Sequence, residues 1–266
     1  MSIQLMSEAG TVGGPNEDFV AAEGTTVVVL DGVSTVPGNG SGCHHGTAWF
    51  AGELAGRVLE HAQAPEGGLD DVLYRALADV VGLHGDACDL SLPDPPAAAL
   101  AVVRERQGRM EYLVLCDCTI VADIGGTVQR ITDDRLSALD LPERRAVLED
   151  PTRAAYAALL EAKRRRRNTP GGYWVAASEP AAAWAAVKGS FPVGDVRRIA
   201  LMTDGVSCAV DRYRLMDWAG LLDTLEDEPA ALVRRIRDAE QRAFRGARNS
   251  LTKLHDDATA AYWRIA

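Results

Sequence analysis

Two short apolar runs, each followed by an Asp-Gly pair, dominate the pattern of hydrophobic and polar positions. Residues 27–30 are four apolar side chains, three of them β-branched, and Asp31-Gly32 follows directly. Residues 199–202 repeat the design and lead through Thr203 to Asp204-Gly205. An uninterrupted apolar run of this length predicts a strand buried on both faces. Asp-Gly is also an ordinary turn, so each pair alone has two interpretations, but together they suggest one acidic site at the ends of two buried strands.

The rest of the pattern predicts helices mixed with consecutive strands. Helical spacing of apolar positions, or stretches of alternating charge and alanine, predict helices within residues 47–62, 69–83, 133–168, 179–187, 212–222 and 229–244. Alternating and β-branched positions predict short strands within 1–24 and further strands over 97–104, 110–116, 119–124, 127–131, 173–177 and the segment after Asp257. Strands that follow one another without intervening helices predict antiparallel pairing and an α+β fold, not a doubly wound sheet.

The composition excludes several classes of protein. The chain has 266 residues, 47% of them hydrophobic, with 28 Lys and Arg against 38 Asp and Glu and a net charge of −10. Such an acidic chain is a poor candidate for binding nucleic acid or anionic membranes, and no apolar run approaches the ~18 residues that span a bilayer. The first residues lack the basic and apolar segments of a secretory signal. We therefore expect a cytoplasmic protein that forms a single domain over residues 1–266.

The cysteines and histidines show no spacing typical of a zinc site. An odd number of cysteines, five, in a chain without a signal peptide predicts reduced thiols. Cys116 and Cys118 flank Asp117 in a predicted strand, so they are expected to share one buried face and to be chemically inert. His44-His45 lies in a loop rich in Gly, Ser and Pro, where a surface position is the main interpretation and a general acid the alternative.

Acidic residues next to predicted strand ends form a candidate metal site. They are Glu17, Asp18, Asp31, Asp117, Asp204, Asp256 and Asp257. Carboxylates without Cys or His partners favour hard cations such as Mg²⁺ or Mn²⁺ in oxygen coordination. Two such ions can share a bridging water, lower its pKa and orient its attack on phosphorus. Carboxylates packed this closely would repel one another without cations, although each pair alone is also compatible with a solvated turn.

Five short motifs occur in an order that identifies a family resemblance. They are Asn16-Glu17-Asp18-Phe19, Leu30-Asp31-Gly32, Cys116-Asp117-Cys118, Met202-Thr203-Asp204-Gly205-Val206 and Asp256-Asp257-Ala258-Thr259-Ala260. The set resembles the Asn-Glu-Asp, Asp-Gly, Gly-Asp-Ser, Ser-Asp-Gly and Asp-Asn motifs of the PP2C-type metal-dependent Ser/Thr phosphatases. Each motif is common by itself, but five in this order across nearly the whole chain are jointly specific.

The resemblance implies a four-layer αββα sandwich, with two antiparallel sheets flanked by helices, and a centre of two Mn²⁺ or Mg²⁺ ions with a possible third. It implies that Asp31, Asp204 and Asp18 are the catalytic acids. The implied contacts are Asp31 bridging both ions, Glu17 and the Gly32 carbonyl on one, Asp204 and Asp256 on the other, Asp18 acting through metal-bound waters, and Asp117 with Asp204 on a weaker third ion.

Several positions depart from the family pattern. Gly13-Gly14-Pro15 stands where many members have an Arg that grips the substrate phosphate, and Val33-Ser34 stands where many have His-Gly or Met-Gly-Gly. Cys116 and Cys118 replace Gly and Ser, and Asp257 replaces Asn. One of the arginines at 164–167 is a candidate substitute for the missing Arg.

Two functions are compatible with this sequence. The first is a metal-dependent phosphatase acting on phosphoserine or phosphothreonine proteins or on a small phosphate ester. The second is a PP2C-like module that binds metal and a partner but turns over poorly, which the missing Arg and His favour and the retained acids disfavour. No Gly-x-x-x-x-Gly-Lys-Ser/Thr loop is present, so nucleotide hydrolysis of that type is not expected.

Overall fold

The computed structural model describes residues 2–33, 40–150, 152–246 and 254–265. The strands are β1 (Ser2–Glu8), β2 (Phe19–Glu23), β3 (Thr26–Val33), β4 (Ala97–Arg106), β5 (Arg109–Leu115), β6 (Thr119–Ile124), β7 (Thr127–Thr132), β8 (Val187–Pro192), β9 (Val196–Met202) and β10 (Ala258–Arg264). The α-helices are α1 (Thr47–Ala62), α2 (Leu69–His84), α3 (Arg135–Ala138), α4 (Pro142–Glu149), α5 (Arg153–Arg166), α6 (Asp204–Asp211), α7 (Trp218–Asp227) and α8 (Pro229–Gly246). Short 3₁₀ turns cover Gly85–Ala87, Pro180–Ala185 and Val193–Asp195.

The strands form two five-stranded sheets. The first has the order β1-β10-β9-β6-β7 and the second the order β2-β3-β4-β5-β8. Every pairing within them is antiparallel. The chain crosses from the second sheet to the first between β5 and β6, at Cys116-Asp117-Cys118.

The buried apolar runs face two different cores. In β3, Val27 and Val29 point into the core between the sheets, whereas Val28 and Leu30 point to the helices outside the second sheet. Successive side chains of a strand alternate between its faces. A strand covered on both sides therefore needs no polar positions, which explains the uninterrupted run at residues 27–30 and confirms the prediction.

Helices cover the outer face of each sheet. Leu54 of α1 and Leu77 of α2 pack on the second sheet, and Val206 of α6, Leu221 of α7 and Leu232 of α8 pack on the first. Three apolar cores thus separate four layers, and the predicted αββα sandwich is confirmed. None of the helices in the described part of the chain is long and apolar enough to cross a membrane.

Helices α3 to α5 form an insertion between β7 and β8. They fall within the helical region predicted for residues 133–168. The last turn of α5 contains Lys163, Arg164, Arg165 and Arg166, where cations interact favourably with the helix dipole.

The prediction for residues 173–187 is wrong in two respects. Residues 173–177 form no continuous strand but only isolated bridges, of which Ala176 exchanges two hydrogen bonds with Ala98 (2.9 and 3.0 Å) at the end of β4 that β5 leaves unpaired. The helix expected over 179–187 is a 3₁₀ turn that ends at Ala185, and β8 begins two residues later. The other five residues of β8 follow the end of the expected helix and belong to no predicted element.

Only residues 218–222 of the helix expected over 212–222 are helical, as the first half of α7. Helix α6 begins at Asp204, directly after β9, and α7 begins at Trp218. Arg214 adopts a left-handed backbone with φ of 52°, which interrupts a helix. Asp217 then caps α7 by accepting a hydrogen bond from the Gly220 N–H at 2.8 Å.

The segment around Asp117 is a connection between sheets, not part of a strand. Cys116 has a left-handed backbone with φ of 66°, which turns the chain between β5 and β6. Both Cys116 and Cys118 are buried in the core between the sheets, as expected. Burial raises the pKa of each thiol well above its usual value, which agrees with chemically inert side chains.

Candidate metal centre

The predicted acids lie at one end of the sandwich, each held by the end of a strand or the start of a helix. Asp31 lies near the end of β3, and Asp204 is the first residue of α6 after β9. Asp117 occupies the turn between β5 and β6. Asp18 immediately precedes β2, and Asp256 lies two residues before β10. Rigid buried strands therefore fix the positions of these carboxylates.

Asp31 is at the electrostatic centre of the group. Its pKa is raised well above the usual value, first by desolvation and then by Asp204, Asp18, Asp117 and Asp256, in that order. Four carboxylates from distant parts of the chain thus lie close enough to oppose ionisation of a fifth.

Asp18 is deeply buried at the base of the group, with 7% of its surface exposed. The Thr203 hydroxyl donates a hydrogen bond to its Oδ2 at 2.9 Å. Burial raises the pKa of Asp18 to about 7, although the hydroxyls of Thr203 and Thr259 lower it and Asp257 and Asp204 raise it further. Asp18 is therefore held in place by β9 and β10 from the opposite sheet.

Asp204 is exposed to a cavity beside the group. Its pKa is raised to about 7 by desolvation and by Asp117 and Asp256, while a hydrogen bond with Asp31 lowers it. A divalent cation beside these carboxylates would relieve the repulsion that raises the pKa of Asp204.

The two glycines that follow these aspartates allow close approach of neighbouring backbone. A Cβ on Gly32 would lie 2.5 Å from the Glu17 carbonyl oxygen and 2.6 Å from a methyl carbon of Thr47. A Cβ on Gly205 would lie 1.9 Å from the Asp257 carbonyl oxygen. Neither position has room for a side chain, and Gly32 brings Glu17 directly alongside β3.

The two adjacent aspartates before β10 differ in their contacts. Asp257 is buried and accepts hydrogen bonds from the backbone N–H groups of Gly10 at 2.7 Å and Glu17 at 2.8 Å. Asp256 instead lines the cavity with Asp117 and Asp204. Asp257 thus positions the loop that carries Glu17 and Asp18, a role that sequence reasoning missed because it depends on contacts about 240 residues apart.

A second set of side chains that the sequence did not suggest supports Asp256. Arg237 of α8 donates a hydrogen bond to the Asp256 carbonyl oxygen at 2.7 Å and contacts Glu240 at 3.1 Å. His255 Nδ1 lies 2.6 Å from the same Glu240 carboxylate. These contacts hold the chain before β10 against α8.

The cavity beside the acids has a volume of about 250 Å³. Asp117, Asp204 and Asp256 form one side, and Arg130 and Arg212 are among the residues on the others. Arg130 is 3.2 Å from Asp134, and the Arg212 guanidinium lies over the Tyr213 ring, 5.3 Å from its centroid. The cavity therefore combines a wall of carboxylates with nearby cations, which suits a phosphate held on metal ions.

The family model for protein phosphatase 2C matches residues 9–243. The chain belongs to the protein phosphatase 2C family. Solved structures share the fold across nearly the whole chain. The Mycobacterium tuberculosis serine/threonine phosphatase PstP/Ppp is 16% identical with a TM-score of 0.59, covering 99% of this chain and 98% of that chain. Stp1 from Staphylococcus aureus is 13% identical with a TM-score of 0.61, covering 99% and 94%.

A third structure contains metal ions. The catalytic domain of PstP in complex with 2 manganese ions is 17% identical with a TM-score of 0.57, covering 98% of this chain and 96% of that chain. Comparison with curated proteins gives no significant match. The likeness to bacterial serine/threonine phosphatases confirms the predicted family and fold.

The acids of this family member fit a hard divalent cation. The donors that come together are carboxylate oxygens, and the pKa values of Asp18, Asp31 and Asp204 are all raised in their mutual presence. Mg²⁺ and Mn²⁺ prefer such oxygen ligands. The fit therefore rests on both the donor chemistry and the repulsion that cations would relieve.

The arginines at 164–167 do not supply the missing phosphate ligand in this structure. Arg164 and Arg165 pair with Glu161, at 2.6 and 3.0 Å, and Arg167 lies 3.2 Å from Asp94. The described residues that line the cavity include none of the four. Lys163, the first cation of the same run, is close enough to Asp204 to lower its pKa.

The loop after β3 also differs from the family pattern. Ser34 lies outside the described residues, and His44 and His45 are not among the described residues that line the cavity. His45 is only partly exposed, because its ring stacks on Trp49 with centroids 4.1 Å apart. The interpretation of His44-His45 as loop surface is therefore correct for exposed His44 and incomplete for His45.

Proposed function

We propose that this chain is a Mn²⁺- or Mg²⁺-dependent phosphatase that hydrolyses phosphate monoesters, acting as one domain over residues 1–266. The observation that carries the proposal is the convergence of Asp18, Asp31, Asp117, Asp204 and Asp256, which oppose one another's ionisation. Membership of the protein phosphatase 2C family supports the same reaction.

The proposed ligands follow the positions of these side chains. Asp31, central in the group, would bridge two ions, with Glu17 and the Gly32 carbonyl on one and Asp204 and Asp256 on the other. Asp117 would join Asp204 on a weaker third ion, since both line the cavity. The relative PstP, solved with 2 manganese ions, supports the number of ions. Bound ions would lower the pKa of a shared water and polarise the phosphate ester.

The protein's own groups would orient the reactants. Thr203 holds the buried Asp18 carboxylate at 2.9 Å, so Asp18 can accept a hydrogen bond from water at a fixed position. The Asp257 carboxylate holds the Glu17 backbone at 2.8 Å. Preorganised acceptors of this kind cost no rearrangement during the reaction.

Substrate phosphate would be held by a cation that lines the cavity. Arg212 lines it, and its guanidinium is the group that we assign to the phosphate, in place of the family's Arg. An arginine can bind two phosphate oxygens at once.

The substrate class is a phosphoserine or phosphothreonine side chain or a small phosphate ester. The cavity of about 250 Å³ beside the acids is the space that would receive the phosphorylated group. The relatives PstP/Ppp and Stp1 are serine/threonine phosphatases, which favours the phosphoprotein.

The test is hydrolysis of p-nitrophenyl phosphate and of a phosphothreonine peptide with Mn²⁺, with Mg²⁺ and with EDTA. We expect activity that requires the metal and is lost in Asp204→Asn. Asp227→Asn, which changes an exposed acid at the end of α7, is the matched control and keeps full activity. Metal-independent hydrolysis, or an Asp204→Asn variant as active as the control, contradicts the proposal.

The second candidate is a PP2C-like binding module. The observation that favours it is the loop before Glu17, which offers Gly13-Gly14-Pro15 and no Arg. Stoichiometric Mn²⁺ binding without turnover of either substrate would select this alternative.

A further inference from the structure

A cluster of sulfur and nitrogen donors lies outside the acidic centre. It consists of Cys43 and His45 in the loop between β3 and α1, and Cys88 in the connection between α2 and β4. Their donor atoms all lie within 4.8 Å of one another. His44 lies beside this group as a candidate fourth donor, with its Nδ1 at 3.5 Å from Cys88 Sγ. This group is called the thiol–imidazole cluster below.

The distances within the thiol–imidazole cluster match those of a tetrahedral zinc site. His45 Nδ1 lies 3.5 Å from Cys43 Sγ and 3.5 Å from Cys88 Sγ. A zinc ion with Zn–S bonds of about 2.3 Å and Zn–N bonds of about 2.0–2.1 Å separates S and N ligands by about 3.5 Å. Thiol–imidazole hydrogen bonds alone are the competing explanation for these contacts.

The backbone brings the two cysteine segments together. The Asp89 N–H donates a hydrogen bond to the Gly42 carbonyl at 2.8 Å. Gly42 has a left-handed φ of 66°, and a Cβ there would lie 1.9 Å from the Asp89 carbonyl oxygen. Only glycine fits at this contact. The contact between Gly42 and Asp89 therefore holds the segment of Cys43 beside the segment of Cys88.

Backbone groups near Cys43 offer partial positive charge to its sulfur, although burial raises the pKa of the thiol above its usual value. The His45 backbone N–H donates a hydrogen bond to Cys43 Sγ at 3.3 Å. Helix α1, with 16 residues, begins at Thr47, and the N-terminus of a helix stabilises nearby negative charge. A cysteine must be deprotonated to bind zinc.

The imidazoles are held in position by aromatic contacts. His45 lies between His44, with centroids 3.9 Å apart, and Trp49, with centroids 4.1 Å apart. The edge of the His84 ring meets Trp49 at 5.0 Å between centroids, and His84 is itself fixed by a bond of 2.8 Å from Nδ1 to the Val80 carbonyl. This packing limits the rotation of His45 and preorganises its Nδ1.

We propose that Cys43, His45 and Cys88 bind one zinc ion, with His44 as the fourth ligand. Thiolate and imidazole donors select zinc over Mg²⁺ and Mn²⁺. The ion is structural, because four protein ligands leave no position for substrate. It joins the β3–α1 loop, which begins just after Asp31 and Gly32, to the α2–β4 connection.

Cobalt substitution is the primary test. Co²⁺ is titrated into the purified full-length protein in excess Mg²⁺, which occupies carboxylate sites. We expect one Co²⁺ per chain with the thiolate-to-cobalt charge-transfer absorption of tetrahedral sulfur ligation. Zn²⁺ should displace it. The absorption is lost in Cys88→Ser and retained in Cys208→Ser, the control for an unrelated, partly buried thiol. It is also retained in Asp204→Asn.

A second measurement needs no variant. Zn²⁺ should protect Cys43 and Cys88, and no other partly exposed cysteine, from alkylation as mapped by mass spectrometry. Absence of the charge-transfer band, persistence of the band in a folded Cys88→Ser variant, or equal alkylation with and without Zn²⁺ would overturn the proposal. A Cys43–Cys88 disulfide that forms in the presence of excess Zn²⁺ would overturn it too.

Discussion

The acidic centre and the thiol–imidazole cluster lie on either side of one short stretch of chain but have opposite chemistry. Asp31 and Gly32 belong to the acidic centre, and Cys43 and His45 belong to the thiol–imidazole cluster. The acidic centre gathers oxygen donors that repel one another, as the raised pKa values of Asp18 and Asp204, about 7, indicate. The thiol–imidazole cluster gathers sulfur and nitrogen donors, with His45 Nδ1 at 3.5 Å from each of the two cysteine Sγ atoms.

The difference teaches how one chain can separate two kinds of cation. Hard ions bind where carboxylates converge, and softer zinc binds where thiolates and imidazoles converge. The carboxylates of the acidic centre repel one another, and a bound cation would relieve that repulsion. Metal binding there should therefore affect both activity and stability. The thiol–imidazole cluster should affect mainly the stability of the loop that follows Asp31.

The largest expected effect is the loss of catalysis in Asp31→Asn. The central carboxylate faces Asp204, Asp18, Asp117 and Asp256, and without it neither proposed ion keeps its bridging ligand. We expect kcat to fall at least on the order of 10²–10³-fold, whereas Co²⁺ binding at the thiol–imidazole cluster is unchanged. Steady-state kinetics and cobalt absorption on the same preparation check both halves, and a parallel loss of cobalt binding would contradict the separation of the two sites.

Gly32→Ala should have the next largest effect. A methyl group there would meet the Glu17 carbonyl oxygen at 2.5 Å, so the loop carrying Glu17 and Asp18 must move. We expect lower Mn²⁺ affinity by calorimetry and a lower melting temperature. The matched control is Gly56→Ala, on the exposed face of α1 with no atom within 4 Å of the new methyl; it should stabilise by up to about 1 kcal/mol. Unchanged metal affinity in Gly32→Ala would show that this contact does not position Glu17.

Arg212→Ala should act on substrate binding. Arg212 lines the cavity and is the cation that we assign to the phosphate. We expect KM for p-nitrophenyl phosphate to rise about tenfold, about 1.4 kcal/mol of binding, with a smaller change in kcat. Arg165→Ala, which removes an exposed partner of Glu161 at 3.0 Å, should leave KM unchanged. Equal kinetic effects in the two variants would count against Arg212.

The smallest effect concerns stability against pH in EDTA. Asp18 and Asp204 have an ordinary pKa of 3.8 and a folded pKa of about 7. Between these values the folded protein binds more protons than the unfolded chain, so stability falls as pH rises. We expect the melting temperature of Asp204→Asn relative to wild type to increase from about pH 5 to about pH 8. Calorimetric melts check this, and Mn²⁺ should abolish the trend. A difference that is constant with pH would contradict the proposed repulsion.

The motifs predicted the acidic centre because strand ends locate its residues locally. Buried runs at residues 27–30 and 199–202 end in Asp31 and Asp204, and the residue types alone indicate the chemistry. The role of Asp257 was not predictable, because its hydrogen bonds reach Gly10 and Glu17 at the other end of the chain.

The sequence did not indicate the thiol–imidazole cluster, because its residues meet only in the folded chain. Cys43 and Cys88 are far apart in sequence, and adjacent His44 and His45 do not match the usual ligand spacing of zinc motifs. Only the fold of α1 against α2 and the Gly42–Asp89 contact bring them together. Similarly, β8 was not predicted, because the helix expected over 179–187 reaches only its first residue and its pairing with β5 joins distant parts of the chain.

The most direct test of the central claim is a calorimetric titration of Mn²⁺ into zinc-saturated protein, with phosphothreonine-peptide hydrolysis measured at each point. The account predicts that activity rises with Mn²⁺ occupancy, that two strong equivalents bind per chain, and that Asp204→Asn loses both binding and activity. Full Mn²⁺ occupancy without hydrolysis, or full hydrolytic activity before Mn²⁺ binds, would contradict it.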